Sequence, residues 1–310
     1  MEVQTDTWFM IINPVAGKGR APKIWEQLST YLSAANIDFQ FAQTQAPGHA
    51  RQLAHKALAS GGRKLMVIGG DGTANEVVNG IFHSGVDPQE VVLGMLSTGT
   101  GNDWVKTIGS HGRLDTIPRN LRTCDCVAYD AGKLVYTKDG KTHERYFLNI
   151  TGLGFDGAVT RNLESGAGWL HNTRFRYWGA LLQMLFKYRH TEVTYEIDGE
   201  SFTYPTLSVA AGIGKYNGGG MKQLPFADYN DGKLDLSIIT NMSKLKMIIS
   251  LPKLQSGSFV RMKQVRTFQA KSIHMHSDMP LYVEADGEFL GEAPVHIGII
   301  PDALRILRWK

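Results

Sequence analysis

Apolar and polar positions alternate in two rhythms along this chain. Up to about Asp125, short continuous apolar runs are separated by segments of helical periodicity. Phe9-Met10-Ile11-Ile12, Leu65–Ile68 and Val91–Leu96 are such runs, and unbroken runs of this length suit strands buried on both faces. Ile24, Leu28, Tyr31 and Leu32 fall on one side of a helix, Asp38–Phe41 reads as a further strand, and Pro47–Ser60 as a further helix. Strands alternating with helices predict a parallel sheet flanked by helices. Ligands of such sheets bind beyond the carboxyl ends of the strands.

After Asn120 the rhythm changes. Cys124–Leu134, Arg145–Asn149, Glu192–Ile197, Ser201–Ala211, Leu234–Ile239, Thr267–His276, Leu281–Glu284 and Val295–Ile299 read as strands of a mainly antiparallel, β-rich domain. One or two helices interrupt them, notably Phe175–Tyr188 and Lys244–Leu254. No internal repeat or low-complexity linker is present. The fold class is therefore an α/β N-terminal domain followed by a β-rich C-terminal domain. The texture changes near Asp125–Asp130, which divides the chain into 1–128 and 129–300.

Composition adds little to this picture, and charge adds more. The 310 residues are 43% hydrophobic and 20% charged, ordinary values for a globular chain. The two cysteines, Cys124 and Cys126, make neither a disulfide framework nor a zinc site and read as strand residues in a reducing compartment. Met1–Thr7 lacks the basic head and apolar run of a signal peptide. The longest apolar candidate for a membrane span, around Tyr177–Phe186, is short and interrupted by Gln183. These features predict a cytoplasmic protein for which any membrane contact is peripheral. The net charge is +4, but Ser243–Ser277 carries seven basic residues and no acidic one: Lys244, Lys246, Lys253, Arg261, Lys263, Arg266 and Lys271. Ser165–His190 is also acid-free and holds Arg174, Arg176, Lys187 and Arg189. The bias suits an anionic membrane surface, and a scattered solvated face is the other reading. No nucleic-acid motif accompanies the charge, so nucleic acid is not an expected partner.

The chemistry concentrates in three glycine-rich loops, each after a predicted strand. Val67–Gly80 runs from an apolar strand into Gly69-Gly70-Asp71-Gly72-Thr73-Ala74-Asn75-Glu76 and then a helix. Glycines at a strand–helix junction let backbone N–H groups approach a phosphate, and the helix N-terminus favours its charge. Asp71 sits among those amides, where a bare carboxylate would repel polyphosphate. A divalent cation between the two resolves the conflict. Asn13-Pro14-Val15-Ala16-Gly17-Lys18-Gly19 follows the first strand, and Ser97-Thr98-Gly99-Thr100-Gly101-Asn102-Asp103 follows the fourth. None is a Walker P-loop, and no protein-kinase signature set is present.

Taken in order, Asn13-Pro14 with Gly17, Gly69–Thr73 with Asn75-Glu76, and Gly99-Thr100 with Asn102-Asp103 resemble the diacylglycerol kinase catalytic-domain family. The likeness is to its bacterial lipid-kinase branch, which is itself similar to sphingosine and ceramide kinases. It covers nearly the whole chain, because Tyr129-Asp130-Ala131-Gly132, Gly152–Asp156, Asp228–Leu234 and Asp286-Gly287-Glu288 also match. The resemblance implies an ATP-binding α/β domain and a β-rich domain, with the tail 301–310 returning to the first. It implies nucleotide binding by Asn13, Pro14, Val15, Ala16, Gly17, Thr44, Gly70, Asp71, Gly72, Thr73, Ala74, Asn75, Glu76 and Thr100. Read from the residues alone, Thr44 is only a hydroxyl at a strand end, which capping explains equally well. Ser97-Thr98 and Gly101 depart from the family's pattern around the third loop.

The same resemblance implies a structural Mg²⁺ on Asp228, Asp231 and the Lys233 carbonyl. By spacing alone, Asp-x-x-Asp-Gly is also a solvated turn. Glu288 is implied as the general base that takes the acceptor's hydroxyl proton, with Glu284 and Glu292 as nearby rivals, and Asp71 is the second residue implied as catalytic. Asp103 and Asp130 are implied to support Asp71 in organising Mg²⁺ and basic side chains. Trp169, Leu170, Phe175, Tyr177 and Trp178 are either core or an acyl-chain entry. His274 and His276 share a strand face without a third metal ligand. The implied activity is transfer of the ATP γ-phosphate to a lipid hydroxyl. Two alternatives remain: an NAD-kinase-like enzyme acting on a soluble alcohol, and a non-catalytic nucleotide-binding regulator. Retention of Asp71, Asp103 and Glu288 together argues against the latter. A homodimer stays open as a partner state.

Overall fold

Trp8–Ile12 (β1) lies between Phe39–Gln43 (β2) and Lys64–Gly69 (β3) and runs parallel to both. Val92–Ser97 (β4) continues the sheet beyond β3, again in parallel. The order β4-β3-β1-β2 is what buried apolar strands joined by helical crossovers produce. The computed structural model describes residues 6–98, 101–109, 113–165, 184 and 187–309. Within them the chain folds as two units, one of Met1–Ala131, Tyr229–Asp231 and Ile300–Lys310, the other of Gly132–Asp228 and Gly232–Ile299.

In the first unit, helix Ala21–Ala34 (α2) buries Trp25, Leu28 and Leu32 against Met10, Ile12 and Met66. Burying side chains of this size contributes roughly 1.5–3 kcal/mol each. Trp25 meets Phe39 edge-on at 5.4 Å. Residues Ala16–Gly19 (α1) form a short turn rather than a regular helix, because Gly17 and Lys18 are left-handed at φ 61° and 60°. Helices His49–Ala59 (α3), Asp71–Phe82 (α4), Asp103–Ile108 (α5) and Ile117–Thr123 (α6) complete the crossovers. The C-terminal segment joins this sheet, with Arg305 and Ile306 paired in parallel to Val92 and Leu93. The Trp309 indole donates to the Met95 carbonyl at 2.9 Å.

Antiparallel pairing dominates the second unit. Ile150–Gly154 (β7) pairs with Glu200–Gly212 (β9) and Tyr282–Ala285 (β13). Glu288–Leu307 (β14) pairs with β13 and with Ser272–His276 (β12), and Thr191–Ile197 (β8) links β12 back to β9. The ladder therefore returns on itself, which removes free edges from these six strands. Leu234–Thr240 (β10) and Val265–Ala270 (β11) extend from β9. Cys126–Lys138 (β5) and Lys141–Phe147 (β6) form a hairpin.

Three element readings change. Thr267–His276 is two strands, because Lys271 and Ser272 turn their amides onto the Asp198 carboxylate and the halves take different partners. Gly152–Asp156, read as a motif, contains the end of β7 and the start of helix Phe155–Ser165 (α7); its glycines mask the strand because they carry little β-propensity. Val295–Ile299 is part of the 20-residue β14. The predicted helix Phe175–Tyr188 lies outside the described residues apart from Met184, Lys187 and Tyr188. Trp169, Leu170, Phe175, Tyr177 and Trp178 lie outside them altogether.

Candidate active site

In the first unit the loops after β1, β3 and β4 meet at the carboxyl ends of their strands. Asn13 Nδ2 donates to Thr73 Oγ1 at 2.9 Å, and Asn13 Oδ1 accepts the Val15 amide at 3.2 Å. The Asn13 side chain thus ties the first loop to the second and shapes its own turn. Gly17 presses against the third loop. A Cβ there would stand 2.1 Å from the Thr98 carbonyl oxygen, so only glycine fits this backbone. Arg20 Nε caps the Gly17 carbonyl at 2.9 Å. The Thr44 amide donates to the Ile12 carbonyl at 2.9 Å, which places Thr44 beside the first loop.

Asp71 opens α4, and its Oδ2 accepts the Asp103 amide at 2.9 Å. Asp103 is buried, and Lys106 Nζ lies 3.1 Å from its Oδ1 while also donating to the Gly101 carbonyl at 2.7 Å. A Cβ on Gly101 would stand 3.5 Å from Asp71 Oδ2 and 3.8 Å from Asp103 Oδ2. Two carboxylates therefore flank one backbone point, and their oxygen donors suit a hard divalent cation. Among the described residues, no group of three or more His, Cys, Asp or Glu side chains is arranged to hold a metal ion.

Glu76 plays another part. Both its oxygens accept backbone amides, from Gly48 at 2.8 Å and Ala50 at 3.0 Å. It caps the start of α3 and fixes the Thr44–Gly48 loop, so its side chain reaches the site through that loop. Asp130 is buried, and its Oδ1 accepts the Asp302 amide at 2.8 Å. Tyr129 stacks on Tyr229 at 5.0 Å and meets Trp104 edge-on. Pro14 and Ala16 lie in the first loop, Gly70 immediately precedes α4, and Gly72, Ala74 and Asn75 lie in its first turns, with Ala74 and Asn75 buried. Thr100 lies outside the described residues. Asp231 belongs to this unit, and Asp228 and Lys233 to the other.

In the second unit, Asp286 and Gly287 both have positive φ, 48° and 86°, and make the two-residue turn of the β13–β14 hairpin. The Asp286 carboxylate accepts three consecutive amides, from Leu148, Asn149 and Ile150, at 2.9, 3.0 and 3.2 Å. Glu288 is the first residue after this anchored turn, and Arg145 of β6 pairs with it at 2.5 Å. Glu288 is partly exposed, whereas Arg145 is more enclosed. Glu292 lies further along β14, opposite Tyr282.

Glu284 is buried on β13. Its Oε2 accepts the Gly287 amide at 2.9 Å and its Oε1 accepts Asn217 Nδ2 at 3.2 Å. Burial, reinforced by Asp156, pushes its carboxyl up to about 8. Burial likewise pushes Asp156 up to about 6, against hydrogen bonds from Ser208 and Gln223. The two acids close in because Gly152 has no side chain; a Cβ there would meet Glu284 Oε1 at 2.5 Å and the Asp156 Cβ at 2.9 Å. Asp156, Ser208, Gln223 and Ser237 are the polar residues lining a cavity of about 30 Å³. Its remaining walls are mainly apolar, with Phe155, Met247 and Leu254 among them.

The sequence singled out neither Lys106 nor Arg145. Lys106 follows Asp103 by one helical turn, a spacing visible in the sequence. Arg145 precedes Glu288 by 143 residues, so only the fold pairs them. His274 stacks on His296 of the neighbouring strand at 4.1 Å, a contact with no sequence signal.

Comparison with known proteins gives these loops a context. Residues 7–134 match the diacylglycerol kinase catalytic domain, and residues 149–308 match the YegS C-terminal NAD kinase beta sandwich-like domain. A diacylglycerol kinase of Mycobacterium tuberculosis is 28% identical over 300 residues, covering 96% of this chain and 94% of the relative. One of Staphylococcus carnosus is 28% identical over 290 residues, covering 93% and 90%. A crystal structure of a diacylglycerol kinase from Bacillus anthracis superposes with a TM-score of 0.71, covering 99% of this chain and 98% of that one at 22% identity, a likeness of fold. Matched along both of its parts, the chain belongs to the diacylglycerol kinase catalytic-domain family and is an ATP-dependent lipid kinase.

Proposed function

We propose that this kinase transfers the γ-phosphoryl group of ATP to a hydroxyl of a diacylglycerol-like lipid drawn from an anionic membrane surface, and that the reaction depends on Mg²⁺. The observation that carries the reading is the convergence of Asp71 and Asp103 with the Asn13–Thr73 link at the carboxyl ends of three parallel strands. Asn13, Gly17, Thr73 and the amides at the start of α4 hold the phosphates. Asp71 and Asp103 supply hard oxygen donors for Mg²⁺, and that ion, when bound, neutralises charge on the phosphates. Lys106 keeps Asp103 in place.

The acceptor hydroxyl oxygen forms a bond to the γ-phosphorus as the bond from that phosphorus to the β–γ bridging oxygen breaks, releasing ADP. Glu288 takes the hydroxyl proton. Arg145 holds the Glu288 carboxylate, and the Asp286 turn fixes the backbone beneath it.

The test is a transfer assay with radiolabelled ATP on diacylglycerol in mixed micelles, with NAD as competing acceptor, Mg²⁺ titration and Glu288→Gln as control. Labelled phosphatidic acid that requires Mg²⁺ and is lost in the variant is the expected result. Labelling of NAD without labelling of lipid overturns the reading.

A further inference from the structure

Helix Lys244–Ser256 (α8) begins where the Ser243 side chain accepts the Lys246 amide and ends at Gly257, left-handed at φ 78°. One side of it packs inward: Met247, Ile248 and Leu254 meet a core containing Phe155, Leu207 and Phe259. The other side is not uniformly polar, as a solvated helix face would be. Leu245 and Ile249, four residues apart, are each 68% exposed, and Pro252 continues their stripe. Lys246 and Lys253 lie three residues before and four residues after Ile249, one helical turn to either side of it, and Lys244 stands at the start of the helix. The helix holds no acidic residue, and none occurs before Asp278.

We infer that this outer face of α8 is the surface on which the kinase seats on an anionic lipid bilayer, with Leu245 and Ile249 entering the headgroup region and the lysines meeting acidic headgroups. An interfacial helix needs this combination: apolar side chains facing outward and cations beside them. Charge decides between occupants. A second copy of the chain would bring like-charged lysines against the stripe, whereas an anionic bilayer complements them. The opposite side of the same helix supplies Met247, Leu251 and Leu254 to the lining of the cavity beside Asp156. Docking therefore brings the cavity's outer wall to the lipid surface. The inference rests on the lipid-kinase reading above and is tested without using turnover.

Vesicle flotation of the full chain on phosphatidylcholine alone and on phosphatidylcholine with phosphatidylglycerol reads the docking directly. The wild type floats with the phosphatidylglycerol vesicles and less so as salt is raised. Leu245→Ser with Ile249→Ser reduces partitioning by about tenfold or more at every salt concentration. Lys246→Glu with Lys253→Glu reduces it by about tenfold or more at low salt and converges on wild type at high salt. Met279→Ser, at an exposed site elsewhere in the unit, floats like wild type. Far-UV circular dichroism and denaturation midpoints of all variants match wild type, since the substituted side chains are exposed.

Unchanged flotation of both double variants overturns the inference. So does equal binding to neutral and anionic vesicles, or a solution dimer that the leucine and isoleucine substitutions dissociate while flotation persists. Absence of turnover on a dispersed short-chain diacylglycerol would count against the kinase reading alone, because flotation is read independently.

Discussion

Arg145 lies 2.5 Å from Glu288, joining the second strand of the β5–β6 hairpin to the first residue of β14. The pair stands directly after a turn whose Asp286 carboxylate is gripped by three backbone amides. Backbone and side chain of Glu288 are therefore both held from the same neighbouring segment, around 145–150. A carboxylate fixed in this way loses little conformational freedom when it meets a substrate hydroxyl.

Glu288→Gln should lower kcat on a lipid acceptor by about 10²–10⁴-fold, the range for a lost general base, with the ATP KM little changed. Arg145→Met should lower kcat by a smaller factor, through loss of positioning. Because both act through one group, the double variant should be no slower than Glu288→Gln alone. Additive losses in steady-state kinetics would separate Arg145 from Glu288 and refute the shared role.

Gly17→Ala tests the packing of the nucleotide loops. The new methyl would stand 2.1 Å from the Thr98 carbonyl, on a backbone already at φ 61°. Backbone must move to admit it, at a cost of the order of 1–3 kcal/mol. The ATP KM should rise at least about tenfold while the acceptor KM is unchanged. An unaltered ATP KM by isothermal titration or kinetics would show that this loop does not shape the nucleotide site.

Much of this arrangement was legible in the sequence because it is local. The apolar runs at Phe9–Ile12, Leu65–Ile68 and Val91–Leu96 mark buried parallel strands, and glycines after each mark the loops. What was not legible depends on distant backbone. Glu76 reads as one more polar residue in a phosphate loop, yet its two acceptors answer amides at Gly48 and Ala50, which only the packing of α3 on α4 brings near. The Asp286 carboxylate and Arg145 belong to the same class, because their partners lie more than a hundred residues away. Thr267–His276 looked continuous because alternation persists across Lys271. The break comes from Asp198, on another hairpin.

Glu76→Ala should act on stability before it acts on chemistry. It removes the acceptor for two amides at the start of α3, where a negative charge also complements the helix dipole. A loss of about 1–2 kcal/mol in chemical denaturation is expected, with faster hydrogen exchange at Gly48 and Ala50. Glu76→Gln, which keeps an acceptor, should recover about half of the loss. Wild-type exchange rates at both amides in the alanine variant would contradict the capping role.

The buried acids predict an unusual pH dependence of stability. Glu284 is held up to about 8 from an ordinary 4.5, so between those values the folded chain keeps a proton that the unfolded chain releases. Its contribution is complete below the unfolded value and is lost as pH rises through the folded one. Asp156, raised to about 6 from 3.8, acts in the same direction over a lower and narrower window. Denaturation midpoints should therefore fall from about pH 5 to about pH 8, with a slope of up to about 1.4 kcal/mol per pH unit from Glu284. Glu284→Gln removes that titration while keeping one acceptor for the Gly287 amide, so its profile should be flatter above about pH 6. Asp156→Asn should flatten the lower limb instead. A Glu284→Gln profile parallel to wild type across the whole range would mean that this carboxyl is already ionised in the folded chain, against the burial that Gly152 makes possible.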